Sequence, residues 1–268
     1  MRISQSMRGV AVRSLLAVAA AAAAVGLSTS AARAAVVFND TFDTYTNGNL
    51  VGQGNWQQTG TTATTPIQVA GAADKFAAVG TSGQDIYKAF TDGVKHVDGE
   101  NLTTSVEVTI TAAQATGDYF VHLSDPVATS TNFYQRLFAR SSGAGYQLGL
   151  LGSSGTGSAT TFGTDVLNFD QTYDVDIDWK FLAGAQNDTF DVTVDGAPYL
   201  THTWNSTSVQ EPDQITAANL RQGAAASAPT AQVDNIAING TTLVPEPASF
   251  SLLAGGTLLA ALRRRRRK

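Results

Sequence analysis

The chain contains no cysteine. Disulfide frameworks, thiolate nucleophiles and zinc–thiolate centres are therefore excluded. Histidine is scarce: His96, His122 and His202 lie far apart, with no His-Glu-x-x-His pairing. For His122, beside Val121 and Leu123 in an apolar strand, the expectation is a hydrogen-bonded sheet histidine. No Gly-x-Ser-x-Gly elbow is present. Basic residues are scarce where a fold would be built. Residues 35–244 carry seven Lys and Arg against 21 Asp and Glu, a net charge of −14. Phosphate binding needs basic patches, so a nucleic-acid partner is excluded and a self-repelling soluble surface is expected. Helical periodicity is almost absent from the same stretch.

The remaining cations lie at the two ends. Arg2, Arg8 and Arg13 precede an uninterrupted apolar run from Leu15 to Leu27, and Ala32-Arg33-Ala34 follows. Thirteen apolar residues are short of the ~20 that span a bilayer. A positive start, a short apolar run and a small-x-small triplet make a signal peptide over 1–34. Signal peptidase would cut between Ala34 and Ala35; an uncut anchor helix is the competing reading.

The other end has three parts. Val244-Pro245-Glu246-Pro247 precedes 15 uncharged residues, 248–262, and six basic residues, 263–268, close the chain. The prolines stop any structure running into the segment. A helix over 248–262 would be ~22 Å long at ~1.5 Å per residue, short for a ~30 Å hydrocarbon core. The basic cluster belongs on the cytoplasmic side, which puts the preceding body outside the inner membrane. This arrangement over 242–268 resembles the PEP-CTERM sorting signal of exopolysaccharide-producing Gram-negative bacteria. The resemblance implies transient anchoring through 248–262, recognition of Pro245, Glu246 and Pro247 by an exosortase-type membrane protease, and delivery to the cell surface or extracellular matrix. A plain anchor with a chance Pro-Glu-Pro is the alternative.

Between the ends, residues 35–241 read as strands. Leu102–Ile110 alternates apolar and polar residues with one slip, Tyr173–Phe181 alternates throughout, and Phe190–Asp195 repeats the pattern. Asp195-Gly196 between two such runs predicts a hairpin. Many strands with one buried face predict an all-β antiparallel sandwich. Three motifs in order resemble the concanavalin A-like jelly roll, in particular its laminin-G-like members: Phe38–Asp43 with Gly52–Trp56, Tyr173–Phe181 with Thr189–Gly196, and Val233–Ile238. The resemblance implies that first and last strands pair and that both tails leave at one edge.

A glucanase of this fold would carry a Glu-x-Asp-x-x-Glu strand. Glu100, Glu107 and Glu211 are the glutamates of the body, and none has that spacing. Asp174, Asp176 and Asp178 share one strand face, which a solvated outer surface explains better than a catalytic site. No catalytic residue is assigned, and no obligatory cofactor. Calcium is conceivable at Asn187, Asp188 and Asp191 or at Asp40 and Asp43, although no Asp-x-Asp-x-Asp-Gly loop exists. Trp56, in a polar loop, is the candidate platform for a sugar ring; a plug over the sandwich is the competing reading. Trp204 and Tyr134 lie at strand edges, whereas Trp179 belongs to the core. Two functions follow: a non-enzymatic surface or matrix protein that binds exopolysaccharide, or a jelly-roll glycoside hydrolase or lyase with an unrecognised site.

Overall fold

The computed structural model describes residues 34–241 except 60–64, 84, 126–132, 154–158 and 207–208. The signal segment before Ala34, the Pro245, Glu246, Pro247 motif, the expected helix over 248–262 and the basic tail lie outside the described residues. Ala34 and Ala35 open the first strand, so a cut between them would remove one strand residue.

The described residues form two antiparallel sheets and no helix. The larger sheet runs β14 (Ala197–Thr203), β13 (Thr189–Val194), β12 (Thr172–Lys180), β7 (Asn101–Ala112), β16 (Thr230–Thr241), β5 (Lys75–Val79), β4 (Gln68–Gly71), β2 (Gly48–Asn49), with β1 (Ala34–Asp40) added to β16. The smaller runs β11 (Thr161–Phe162), β10 (Gly145–Ser153), β9 (Phe133–Ser142), β8 (Asp118–Ser124), β15 (Gln214–Arg221), β6 (Asp85–Lys95), β3 (Gln57–Thr59).

Period-2 patterning explains the long strands. In β7 the even-numbered residues Leu102 to Ile110 are buried and the odd ones are not. In β12, Tyr173, Val175, Ile177 and Trp179 point inward while Asp174, Asp176 and Asp178 stand outside. The inner faces of both sheets share one apolar core, to which the smaller sheet contributes Phe120, Leu137, Leu148 and Leu220. Asp195 and Gly196 both have positive φ, 50° and 75°, and turn β13 into β14. The predicted antiparallel sandwich is therefore observed.

First and last strands pair, with Ala34 opposite Thr241. The expectation of a sheet edge needs correction. β16 is an interior strand, hydrogen-bonded to β7 on one side and to β5 and β1 on the other.

Three aromatic assignments also change. Trp56 is 1% exposed and cannot offer a face to a sugar. Its ring stacks on Phe42 and meets Phe38 edge-on, and its Nε1 donates to Asp40 Oδ2 at 2.8 Å. The polar loop around Trp56 misled because the ring folds back onto the apolar core. Trp204 and Tyr134 are likewise buried, stacked on one another beside Trp179.

Candidate functional site

The outer face of the smaller sheet collects chemistry that local sequence patterns scatter. On β9, Arg136, Phe138 and Arg140 alternate outward, opposite the buried Leu137 and Ala139. β8 pairs with β9 through two register irregularities, between Tyr119 and Val121 and between Val121 and Leu123. They let Tyr119 and His122, three residues apart, contact each other on one face, with ring centroids 5.3 Å apart. Gln135, with φ of 45°, interrupts the alternation of β9 in the same region. Its side chain turns into the sandwich toward Thr104 Oγ1, while Phe133 stays beside the His122 ring at 4.6 Å. β15 adds Asn219, opposite His122, and Arg221.

Rings and guanidiniums interleave across this face. The Arg136 guanidinium carbon lies 4.8 Å from the Tyr119 ring centroid, and Arg221 covers the same ring at 4.1 Å. Arg140 stands 3.9 Å over Phe162 of β11. Gly149 on β10 leaves room for that ring, since a Cβ there would come within 2.6 Å of it.

The electrostatics are uneven. Arg221 pairs with Asp118 at 2.7 Å and approaches Asp85 at 3.8 Å. Arg136 and Arg140 pair with no carboxylate among the described residues. Arg136 donates Nη2 to the Ser153 carbonyl at 2.9 Å, and its buried Nε has no partner there. Arg140 donates Nε and Nη2 to Gln147 Oε1 at 3.1 and 2.9 Å. Burial pulls the Arg136 pKa down, yet a guanidinium keeps its charge. Tyr119 is pushed up, chiefly by burial, with Arg221 and Arg136 pulling the other way.

His122 is 2% exposed, and neither ring nitrogen has a partner among the described residues. It is thus not the hydrogen-bonded sheet histidine expected. Burial, aided by the charges of Arg221 and Arg136, holds its pKa well below the ordinary value, so the ring is neutral. Asn219 donates to Ser124 Oγ at 2.9 Å beside it.

The other candidates disperse. Asp188 is fully buried and accepts hydrogen bonds from Trp179 Nε1 and the Leu182 amide. Asp191 faces outward on β13, paired with Lys180 and Thr201, so the acidic cluster expected at Asn187, Asp188 and Asp191 is split between core and surface. Asp40 is buried, holding Lys88 Nζ at 2.8 Å as well as Tyr45 and Trp56, whereas Asp43 accepts from the Lys75 amide. Asp174 and Asp176 share an outer cleft of the larger sheet with Glu107 and Asn235. His202 is buried, its pKa lowered to about 4 by burial, and Nε2 accepts from the Gly152 amide.

No protein-family model matches the chain, and no curated protein matches it. Solved structures do. The fold is similar to the globular domain of T. cruzi calreticulin (TM-score 0.52, 12% identity, covering 82% of this chain and 92% of that one). It is similar to the alginate lyase Aly36B (0.52, 11%, 75% and 95%). It is also similar to the CBM2 module of the Lactobacillus casei BL23 phage J-1 evolved Dit (0.50, 12%, 78% and 97%). At such identities the likeness is one of fold alone, and it supports the β-sandwich architecture of the body of this chain.

Proposed function

We propose that the body binds an acidic polysaccharide on the outer face of its smaller sheet, as a non-enzymatic protein of the cell surface or matrix. One observation carries the reading. In a body of net charge −14, Arg136 and Arg140 stand partly buried among aromatic rings with no carboxylate partner among the described residues. A desolvated cation is costly unless something pairs with it, and 21 acidic residues were at hand to do so. An external carboxylate supplies the missing charge through bidentate guanidinium contacts, while the half-buried Phe138 adds apolar surface beside the guanidiniums. The carbohydrate-directed names of two similar folds, an alginate lyase and a CBM2 module, support this reading. Export through 1–34 and sorting through Pro245, Glu246 and Pro247 would bring the body to exopolysaccharide outside the cell, with signal peptidase and an exosortase-type protease as its processing partners.

The test is binding of the full chain to alginate and to neutral dextran at matched salt. Binding to alginate alone, weakened at least tenfold in R136Q and R140Q, is expected. Equal binding to both polymers, or unchanged binding in both variants, would overturn the reading.

The neutral His122, whose ring nitrogens have no partner among the described residues, favours a second reading, a lyase. His122 is 2% exposed beneath Tyr119 and Phe133, so this reading requires those rings to part. A neutral imidazole so uncovered would take the proton beside a uronate carboxylate, the arginines would neutralise that carboxylate, and the Tyr119 hydroxyl would protonate the departing glycosidic oxygen. The products would be a free chain end and an unsaturated uronate. Ultraviolet absorbance of that double bond during incubation with alginate or polyglucuronate distinguishes the two: growth means lyase, a flat trace with retained binding means a binding protein.

A further inference from the structure

A second cluster lies away from the arginines of the smaller sheet's face. His96 comes from the segment between β6 and β7, Asp188 from the residue before β13, and Glu211 from the segment between β14 and β15. One ligand atom from each lies within 4.8 Å of the other two. His96 Nε2 is 2.8 Å from Asp188 Oδ2. Glu211 Oε1 accepts the amides of Asn187 and Asp188, at 2.9 and 3.2 Å, and its second oxygen has no partner among the described residues. The amides fix the Glu211 carboxylate, Trp179 Nε1 fixes Asp188 at 2.7 Å, and the Phe181 ring supports the imidazole at 4.3 Å.

His96 and Glu211 open onto a cleft of about 370 Å3 whose wall also carries Asp98 and Asp213. Four carboxylates thus lie about one imidazole, and among the described residues no Lys or Arg lines the cleft. The local charge is negative even when His96 is protonated. The donor set decides which cation fits. Calcium takes oxygen ligands only, whereas one imidazole nitrogen with two carboxylate oxygens suits zinc and neighbouring transition ions. At ~2.0–2.2 Å from each ligand, such an ion sets ligand atoms about 3.3–3.5 Å apart. His96 and Asp188 need open only slightly and Glu211 close slightly. A fourth, water-filled position would face the cleft.

We propose that His96, Asp188 and Glu211 form a binding site for a divalent transition ion of the zinc class, tying together three connecting segments of the sandwich. The ion replaces the proton shared by His96 and Asp188, and that proton leaves to solvent. The proposal is independent of the glycan reading, since neither Arg136 nor Arg140 takes part.

Untagged full-length chain, stripped with chelator, is titrated with ZnCl2 and separately with CaCl2, and bound metal and thermal midpoint are read together. One zinc per chain, a raised midpoint, and at least tenfold weaker zinc binding in H96A and E211Q are expected, with calcium giving no matching effect. Asp188 is a buried hub whose replacement endangers folding, so the test rests on those two variants, each checked for sheet content by circular dichroism. Absence of stoichiometric zinc, or zinc binding unchanged in H96A and E211Q, would overturn the proposal; so would calcium binding that survives H96A.

Discussion

Arg140 stands over the ring of Phe162, 3.9 Å from guanidinium carbon to centroid, and the pair closes one end of the arginine–aromatic face. The contact depends on a glycine. A side chain at Gly149 would occupy the space of the Phe162 ring, 2.6 Å from its nearest atom. Gly149→Ala should therefore displace Phe162 and weaken alginate binding, while Phe162→Ala should remove a cation–π contact of ~0.5–1 kcal/mol. Calorimetric titration with alginate oligomers checks both, and full affinity in Gly149→Ala would break the link between this pair and binding.

Binding carried by Arg136 and Arg140 should weaken as salt rises, because the charges lie close enough to solvent to be screened. Raising ionic strength from low salt to 1 M should lower alginate affinity steeply in the wild type and less steeply in R136Q/R140Q. Identical slopes would mean that other groups meet the polymer.

Trp56 and Trp179 are both fully buried, each with its indole N–H held by an aspartate, Asp40 and Asp188 respectively. Replacing either by alanine should cost ~3–5 kcal/mol and leave a buried carboxylate short of a donor. Equilibrium urea unfolding should show two comparable losses; a Trp56→Ala protein as stable as wild type would contradict the packing described.

Asp234 on β16 has a pKa raised to about 6, first by burial and then by the charges of Asp74, Glu107 and Asp43, which the Asn235 amide only partly offsets. The unfolded value is near 4. Between the two the folded chain binds the extra proton, so this group's contribution is favourable at low pH and is lost as pH rises through about 6. Asp234→Asn should be the more stable protein above pH 6, with the difference shrinking toward pH 4. A difference that does not change over that range would show that Asp234 is not the titrating group.

The tail carries the sorting proposal. On that proposal an exosortase-type protease cuts near Glu246, between Pro245 and Pro247. Mass spectrometry of the exported protein in its native host should find chains lacking Arg263 to Lys268, and alanines in place of Pro245-Glu246-Pro247 should retain the full chain in the inner membrane. Exported protein that keeps its basic end would make the segment a plain anchor.

Much of the fold is legible because its signals are local. Alternation along Tyr173–Phe181 puts Trp179 inside and three aspartates outside whatever the strand pairs with, and Asp195-Gly196 favours positive φ before any tertiary contact forms. The arginine face was not legible for the opposite reason. Tyr119, Arg136, Phe162 and Arg221 lie up to about a hundred residues apart, and only the order of strands in the smaller sheet brings them together. His122 looked like one more member of an apolar strand because the irregularities that set its face exist only in the pairing of β8 with β9.

By itself, then, the sequence determined what period and composition can carry: strands rather than helices, the identity of the larger sheet's buried face, the acidity of the body and the chemistry of both ends. The tertiary structure decided which charges go unpaired, which rings meet guanidiniums, and that Trp56 turns inward to Asp40 instead of outward to a ligand. Those outcomes depend on distances between residues remote in the chain, and a strand's own alternation fixes only which way a side chain points, not what it meets there.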